Sequence, residues 1–418
     1  MAKEKKLKLK PLAAWSPLLI LLASGAARAE LEPFSFGAGE TISHDDNLNH
    51  SVDGARTATW LTVTELRAAL DQVIGRDRLT ASVAADYNTY SAAKERNSFG
   101  YRAATAFDWS TIGDLSGSLG ASSQRRQYVY GINGESFSTS TRNLETINRA
   151  DARVELGGLA RWNLFAGFNV MNRDYSATSF RANEERQWST SVGTRYSTSP
   201  DLSFGLTADY THGEYPHYVD AADQPFSAGF ATKSLSATTR LQASGNSALD
   251  ASVGYTTQTS DLQPTLDFVS GSLNWTWTPP SHISVHAGLA RSSNGGATAG
   301  TLGSLNDRSL NNTASLSVSY ALTGKVSLVA DADYIQRKYS GVQVPQLLPD
   351  GTLGPLVTIN GTNHTQRFAL HAHYKPTRNS DINCGAAHEN LSADSAIVGI
   401  TPNYSDTMYT CAASIDFK

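Results

Sequence analysis

From Tyr404 to Lys418 the chain is apolar at every second position: Tyr409, Cys411, Ala413, Ile415 and Phe417. The residues between them, Thr410, Ala412, Ser414 and Asp416, are small or polar. A period of two puts these sets on opposite faces of a β-strand. The rhythm recurs along the chain. It predicts strands at Phe34 to Ser43, about Thr59 to Val73, Leu79 to Tyr90, Phe99 to Trp109, Leu115 to Arg125, Ala150 to Leu156, Trp162 to Val170, Trp188 to Tyr196 and Leu202 to Tyr210. It continues through Leu235 to Leu241, Leu249 to Tyr255, Val269 to Trp277, Ile283 to Leu289, Ala314 to Tyr320, Val326 to Tyr334, Phe368 to Tyr374 and Ile382 to Leu391. With the last stretch that makes eighteen. The second of them also fits a helix, because Leu66, Ala69, Leu70 and Val73 have helical spacing.

The N-terminus reads differently. Lys3, Lys5, Lys6, Lys8 and Lys10 precede a short apolar run, Leu12 to Ala23, and Ala27-Arg28-Ala29 has small residues at the cleavage positions. This is the pattern of a cleavable signal peptide over residues 1–29, leaving a single unit, 30–418. No later run reaches the ~18 apolar residues of a membrane helix. A mean hydropathy of −0.31 does not argue against a membrane barrel, since only alternate residues of its strands face lipid. The formal net charge of −4 speaks against nucleic acid as a partner.

Alternating strands also build soluble sandwiches, so the connections matter. Tight turns such as Gly75-Arg76-Asp77, Gly157-Gly158, Ser199-Pro200-Asp201 and Gly245-Asn246 follow even-numbered strands. Nearly every connection after an odd-numbered strand is longer, as in Tyr128 to Thr146. Short turns on one side and long loops on the other are the habit of a transmembrane barrel with both ends in the periplasm. Trp109, Trp162, Tyr196, Trp275, Trp277, Tyr320 and Tyr334 lie at strand ends, where girdles meet the two membrane interfaces. Closure removes the unpaired edges that hydrocarbon does not tolerate. The fold expected is therefore all-β: an antiparallel up-and-down transmembrane β-barrel of about 18 strands in the outer membrane, with lipid around it.

Two resemblances bear on this. The terminal strand resembles the closing strand of bacterial outer-membrane barrels, with Lys418 added after the usual final aromatic. Ile42-Ser43-His44-Asp45-Asp46-Asn47-Leu48, followed by Arg76-Asp77-Arg78-Leu79-Thr80-Ala81 and Tyr87-Asn88, resembles the opening of EpsL-type barrels, porin-like proteins encoded with exopolysaccharide machinery. The resemblance covers about the first quarter of residues 30–418. It implies export or anchoring of an exopolysaccharide chain with a separate periplasmic component. It supplies no catalytic residues and no cofactor. A general or substrate-specific diffusion porin is the alternative, and a hydrolase at the barrel rim a third reading.

If the apolar set faces lipid, the other set lines a lumen wide enough for water. That set holds Arg67, Arg102, Asp108, Arg126, Arg149, Arg153, Arg161, Arg173, Arg195, Asp209, Arg240, Asp331 and Asp333. Asp71, Asp86, Asp151, Glu155, Glu185, Asp250, Arg367, His371 and His373 accompany them. Charges at alternate positions are costly against lipid and fitting in a wet pore. Arg125, Arg126, Arg149, Arg153, Arg161 and Arg173 are concentrated on strands five to eight. They could guide an acidic polymer, or form a neutralised ladder with Asp151, Glu155 and Glu185. Gln124, Asn163, Asn169, Gln187, Gln242 and Asn274 offer amides inside, and Tyr128, Tyr130, Tyr215 and Tyr218 offer rings in outer loops. Tyr339 to Asn363 is long enough for a constriction loop but holds one charge, Asp350.

His282, His286, His371 and His373 form no recognisable metal-ligand pattern. Ser43-His44-Asp45 and Ser281-His282 are the pairs a hydrolase would need. Cys384 and Cys411 flank the last outer loop on the outward set. They are either a directly opposed disulfide pair or two small apolar fillers.

Overall fold

The computed structural model describes residues 33–417 apart from 53, 129–141, 158–160, 220–224, 262, 301–302, 348–352 and 395–402. The expected signal peptide, 1–29, lies outside them. The strands are β1 (Phe34–Asp45), β2 (Thr59–Ile74), β3 (Asp77–Tyr90), β4 (Ser98–Ser110), β5 (Leu115–Gln127), β6 (Leu144–Leu156), β7 (Trp162–Tyr175), β8 (Glu185–Ser199) and β9 (Leu202–Val219). They continue as β10 (Pro225–Ser244), β11 (Ser247–Ser260), β12 (Gln263–Trp277), β13 (Ile283–Gly300), β14 (Gly303–Ala321), β15 (Val326–Leu347), β16 (Leu353–Tyr374), β17 (Ser380–Ala393) and β18 (Tyr404–Phe417). Each pairs antiparallel with its chain neighbours, and β1 pairs with both β2 and β18. The sheet is thus a closed eighteen-stranded barrel.

Parity sorts the side chains. On β1 and β2, Phe34, Phe36, Ile42, Trp60 and Leu66 face out and are exposed. The same exposed apolar set runs round the wall through Val83, Leu119, Val192, Leu235, Leu289 and Phe368. In a soluble protein so large an apolar surface would aggregate; on a barrel it is the lipid-facing belt. Trp162 against Tyr196 and Trp275 stacked along Trp277 mark one border of the belt. Trp60, Tyr87, Trp188, Tyr255 and Tyr334 lie toward the other. Glu40 interrupts the belt, outward between Ala38 and Ile42, and accepts a 2.7 Å hydrogen bond from the Thr64 hydroxyl.

Several boundaries differ from the sequence-based expectation. The Thr59–Ile74 segment is a strand along its whole length, because Glu65, Arg67 and Asp71 alternate inward where a helix would scatter them. β6 begins at Leu144, within the expected loop. Tyr339 to Asn363 is not an inward loop: β15 and β16 stay paired from Tyr339↔Gly361 up to Leu347↔Leu353 as a tall hairpin. Tyr215 and Tyr218 lie on β9, buried with Ala228 and Phe230, not in an outer loop.

Candidate functional site

The inner wall divides by chemistry. From β1 to β8 it carries long charged side chains in hydrogen-bonded rows. One row runs Asp416, Gly37, Arg67, Ala84, Arg102, Gln124, Ile147, Arg173, Glu185 across nine strands. The guanidinium of Arg67 grips both oxygens of Asp416, each at 2.8 Å, and so ties β2 to β18 across β1. Glu65 accepts from Arg67 and from Arg102. Small neighbours make room for these side chains to lie against the wall. A Cβ at Gly37 would strike the Asp416 carboxylate and Arg67, and one at Gly120 would strike Asp151.

Farther round, Glu145 accepts from Arg126 at 2.9 Å and forms an ion pair with Arg173 at 3.3 Å, and Arg173 also donates to Glu185 at 3.0 Å. The Glu145 side chain is only 6% exposed. Arg153 bonds Glu155 at 2.6 Å and lies 4.2 Å over the Phe165 ring. Arg78 pairs with Asp71, Arg240 with Asp250 at 3.7 Å and Arg367 with Asp333 at 3.6 Å. Ser234 donates to Asp209. Asp108 sits opposite Arg78, and Asp331 on β15 opposite Ala369 of β16. Arg149 and Arg195 face inward and make no hydrogen bond or salt bridge among the described residues.

Two arginines do not fit the inward set. Arg161 lies in the connection before β7, exposed at the rim, and Arg125 falls on the outward face of β5 opposite Tyr101. The ladder of ion pairs includes the expected Glu155 and Glu185, but its third acid is Glu145, and Asp151 forms no salt bridge among the described residues. Glu65, Glu145 and Asp416 carry much of the pairing without a sequence signal of their own: Glu145 lies in the stretch expected as a loop, and Asp416 is one of several small or polar alternates on β18.

Between β1 and β6 the charged row borders a recess of about 720 Å³ on the inner wall. Arg67, Arg102, Arg149 and Arg378 face Glu65 and Asp416 around it, with Gln124 beside them. Its floor is Gly37, Ala69, Ala84, Ala104 and Ser122.

The wall from β9 to β14 has few charges. Hydroxyls pair across it: Ser252 with Ser272 at 2.8 Å and Thr256 with Ser270 at 3.3 Å. The amides expected inside, Gln124, Asn163, Asn169, Gln187, Gln242 and Asn274, all have inward parity.

The outer mouth is partly covered. Asn47 is fully buried: its amide donates to the Ser51 and Ser405 carbonyls and accepts from the Ser51 N–H. His50, in the connection 46–58, stacks on Tyr404 and sits 3.6 Å from Asp406. Burial opposes its charge, but the hydrogen bond to Asp406 and the nearby Asp406, Glu389 and Asp45 carboxylates outweigh that and raise its pKa. Asp45, Asp46 and Asp406 offer oxygens within 4.8 Å of one another, a grouping that no histidine spacing in the sequence signals. Between β7 and β8 a 3-10 turn, Thr178–Asn183, packs Phe180 on Tyr128 and Tyr175 and reaches β13. Tyr130 lies outside the described residues.

The expected hydrolase pairs do not assemble. Ser43 points inward to the Thr410 hydroxyl while His44 points outward, edge-on to Trp60. His282 lies in a turn against Tyr320. His286 is on β13, and His371 and His373 are on β16, three strands away. Cys384 and Cys411 are opposed in register, Cα atoms 4.1 Å apart, and joined as a disulfide.

No family model matches the sequence, and no curated protein matches it. Among solved structures, OpdK of Pseudomonas aeruginosa, crystallised with vanillate, is 12% identical with a TM-score of 0.50, over 92% of this chain and 99% of that one. OpdQ of the same organism is 10% identical with a TM-score of 0.47, over 92% and 99%. The siderophore receptor PirA of Acinetobacter baumannii is 8% identical with a TM-score of 0.44, over 92% and 81%. The chain shares the architecture of OpdK, that of a bacterial outer-membrane barrel.

Proposed function

We propose that this barrel is an outer-membrane diffusion channel for small hydrophilic solutes, with a preference for organic anions. The recess beside Arg67, Arg102, Arg149 and Arg378 carries the reading. It sets four guanidinium groups against two carboxylates, and Arg149 makes no hydrogen bond or salt bridge among the described residues. A recess of that volume suits a small ligand, and a locally positive wall raises the concentration of anions near it. That OpdK was solved with vanillate makes vanillate a natural probe. In planar bilayers under a salt gradient, the purified protein should conduct with a reversal potential on the anion side. Arg149→Glu should move that potential toward cations, and vanillate should block the wild type more strongly than the variant. Absence of conductance, or a cation preference indifferent to Arg149, would overturn the proposal.

A second reading rests on the EpsL resemblance: the barrel passes or anchors an exopolysaccharide, together with a periplasmic partner. The hydroxyl wall and the inward amides favour it, since a glycan binds through such groups. A deletion strain decides between the two. Lost surface polymer with normal solute uptake supports the polymer route. Normal polymer with impaired uptake of a small anion supports the channel.

A further inference from the structure

The seam between β12 and β13 is unlike its neighbours. Seven residue pairs join these strands, from Trp277↔Val285 up to Gly271↔Arg291, the shortest register in the barrel among the described residues. Above Gly271, β12 continues to Gln263 paired with β11. Above Arg291, β13 continues to Gly300 paired with β14, and β13 also lies against the Thr178–Asn183 turn. Among the described residues no pair joins β12 to β13 there, so the wall parts on its outer half.

Unpaired peptide groups are not stable against hydrocarbon unless they border a polar or water-filled space. The parted seam borders a hollow. Two adjoining grooves of about 540 and 580 Å³ share Leu273, Leu289, Ala314 and Tyr334. The first is lined from both faces of the wall: Val253 and Val269 have outward parity, Ser252 and Ser270 inward parity. At the fork stands Arg291, outward and exposed, with no hydrogen bond or salt bridge among the described residues. An apolar trough ending in an unpaired guanidinium matches one chemistry: an acyl chain with a single anionic head.

We propose that the parted β12–β13 seam is a lateral opening that takes single-chain amphipathic anions between the lumen and the outer leaflet, the chain in the groove and the head on Arg291. It rests on the channel reading only in requiring an open lumen.

Dodecanoate is the probe, with the full chain in nanodiscs. Arg291→Ala should weaken dodecanoate binding about tenfold, the effect of losing one charge-assisted hydrogen bond. Ala314→Trp should fill the trough and weaken binding while leaving Arg291 in place. Ser270→Cys with Ser292→Cys places thiols where the next pair of the register would fall. Oxidising that pair should abolish dodecanoate passage into proteoliposomes and leave small-ion conductance intact. Dodecanoate that does not bind the wild type, binds Arg291→Ala equally, or is matched by dodecanol would overturn the proposal. So would passage unchanged in Ala314→Trp. Dodecanoate binding without any ion conductance would instead count against the channel reading.

Discussion

The two halves of the inner wall solve the same problem with different chemistry. From β1 to β8 the lumen is edged by paired charges, laid flat over glycine, alanine and serine. From β9 to β14 it is edged by short hydroxyls that bond their cross-strand neighbours. A charge is far costlier to leave alone than a hydroxyl, so the first half is bound by obligations the second lacks. Where a carboxylate is most enclosed, as at Glu145, two arginines converge on it; where the wall is open, as at Arg240 and Asp250, the pair is loose.

That contrast can be broken most sharply at Glu145. Glu145→Gln removes the acid shared by Arg126, which is 63% exposed, and Arg173, which keeps Glu185, and should cost about 2 kcal/mol, the range for hydrogen bonds to charged groups. Urea unfolding in liposomes, followed by tryptophan fluorescence, measures it. Arg67→Ala unties β2 from β18, but its Asp416 partner is half exposed, so about 1 kcal/mol is expected in the same assay. A Glu145 variant no weaker than the Arg67 variant would erase the distinction. On the hydroxyl side, Ser252→Ala should cost about 0.5 kcal/mol, within the range of a single neutral hydrogen bond.

His50 sharpens the comparison at the mouth. Its folded pKa is raised, so its contribution is fully present below the unfolded value of about 6.5 and fades as pH rises through the folded value. The 46–58 connection should therefore resist proteolysis better at pH 5.5 than at pH 8. His50→Gln should reduce the difference.

Strand number, direction and parity were legible because lipid enforces alternation over the membrane-spanning part of each strand. Above the belt the enforcement ends. The upper parts of β13 to β16 are interrupted in sequence by glycine, proline, serine and asparagine, so they read as loops although their backbones remain paired. The arginines of the recess were visible as inward charges, but the identity of their partners was not. Asp416 and Arg67 are 349 residues apart, and only closure of the barrel brings them together. The parted seam left one trace: above Val269 the alternation of β12 changes phase, with apolar Phe268 and Leu266 on the inward parity and Asp267 on the outward.

The disulfide has a consequence for chemistry in place. Cys411 lies on the outward face, opposite Ile42 of β1, within the belt. Thiol reductants attack as thiolates, and a thiolate does not enter hydrocarbon. The Cys384–Cys411 bond is thus kept from reducing agents by the bilayer as much as by its own stability. Once oxidised and inserted, β17 and β18 stay joined for as long as the barrel remains in its membrane.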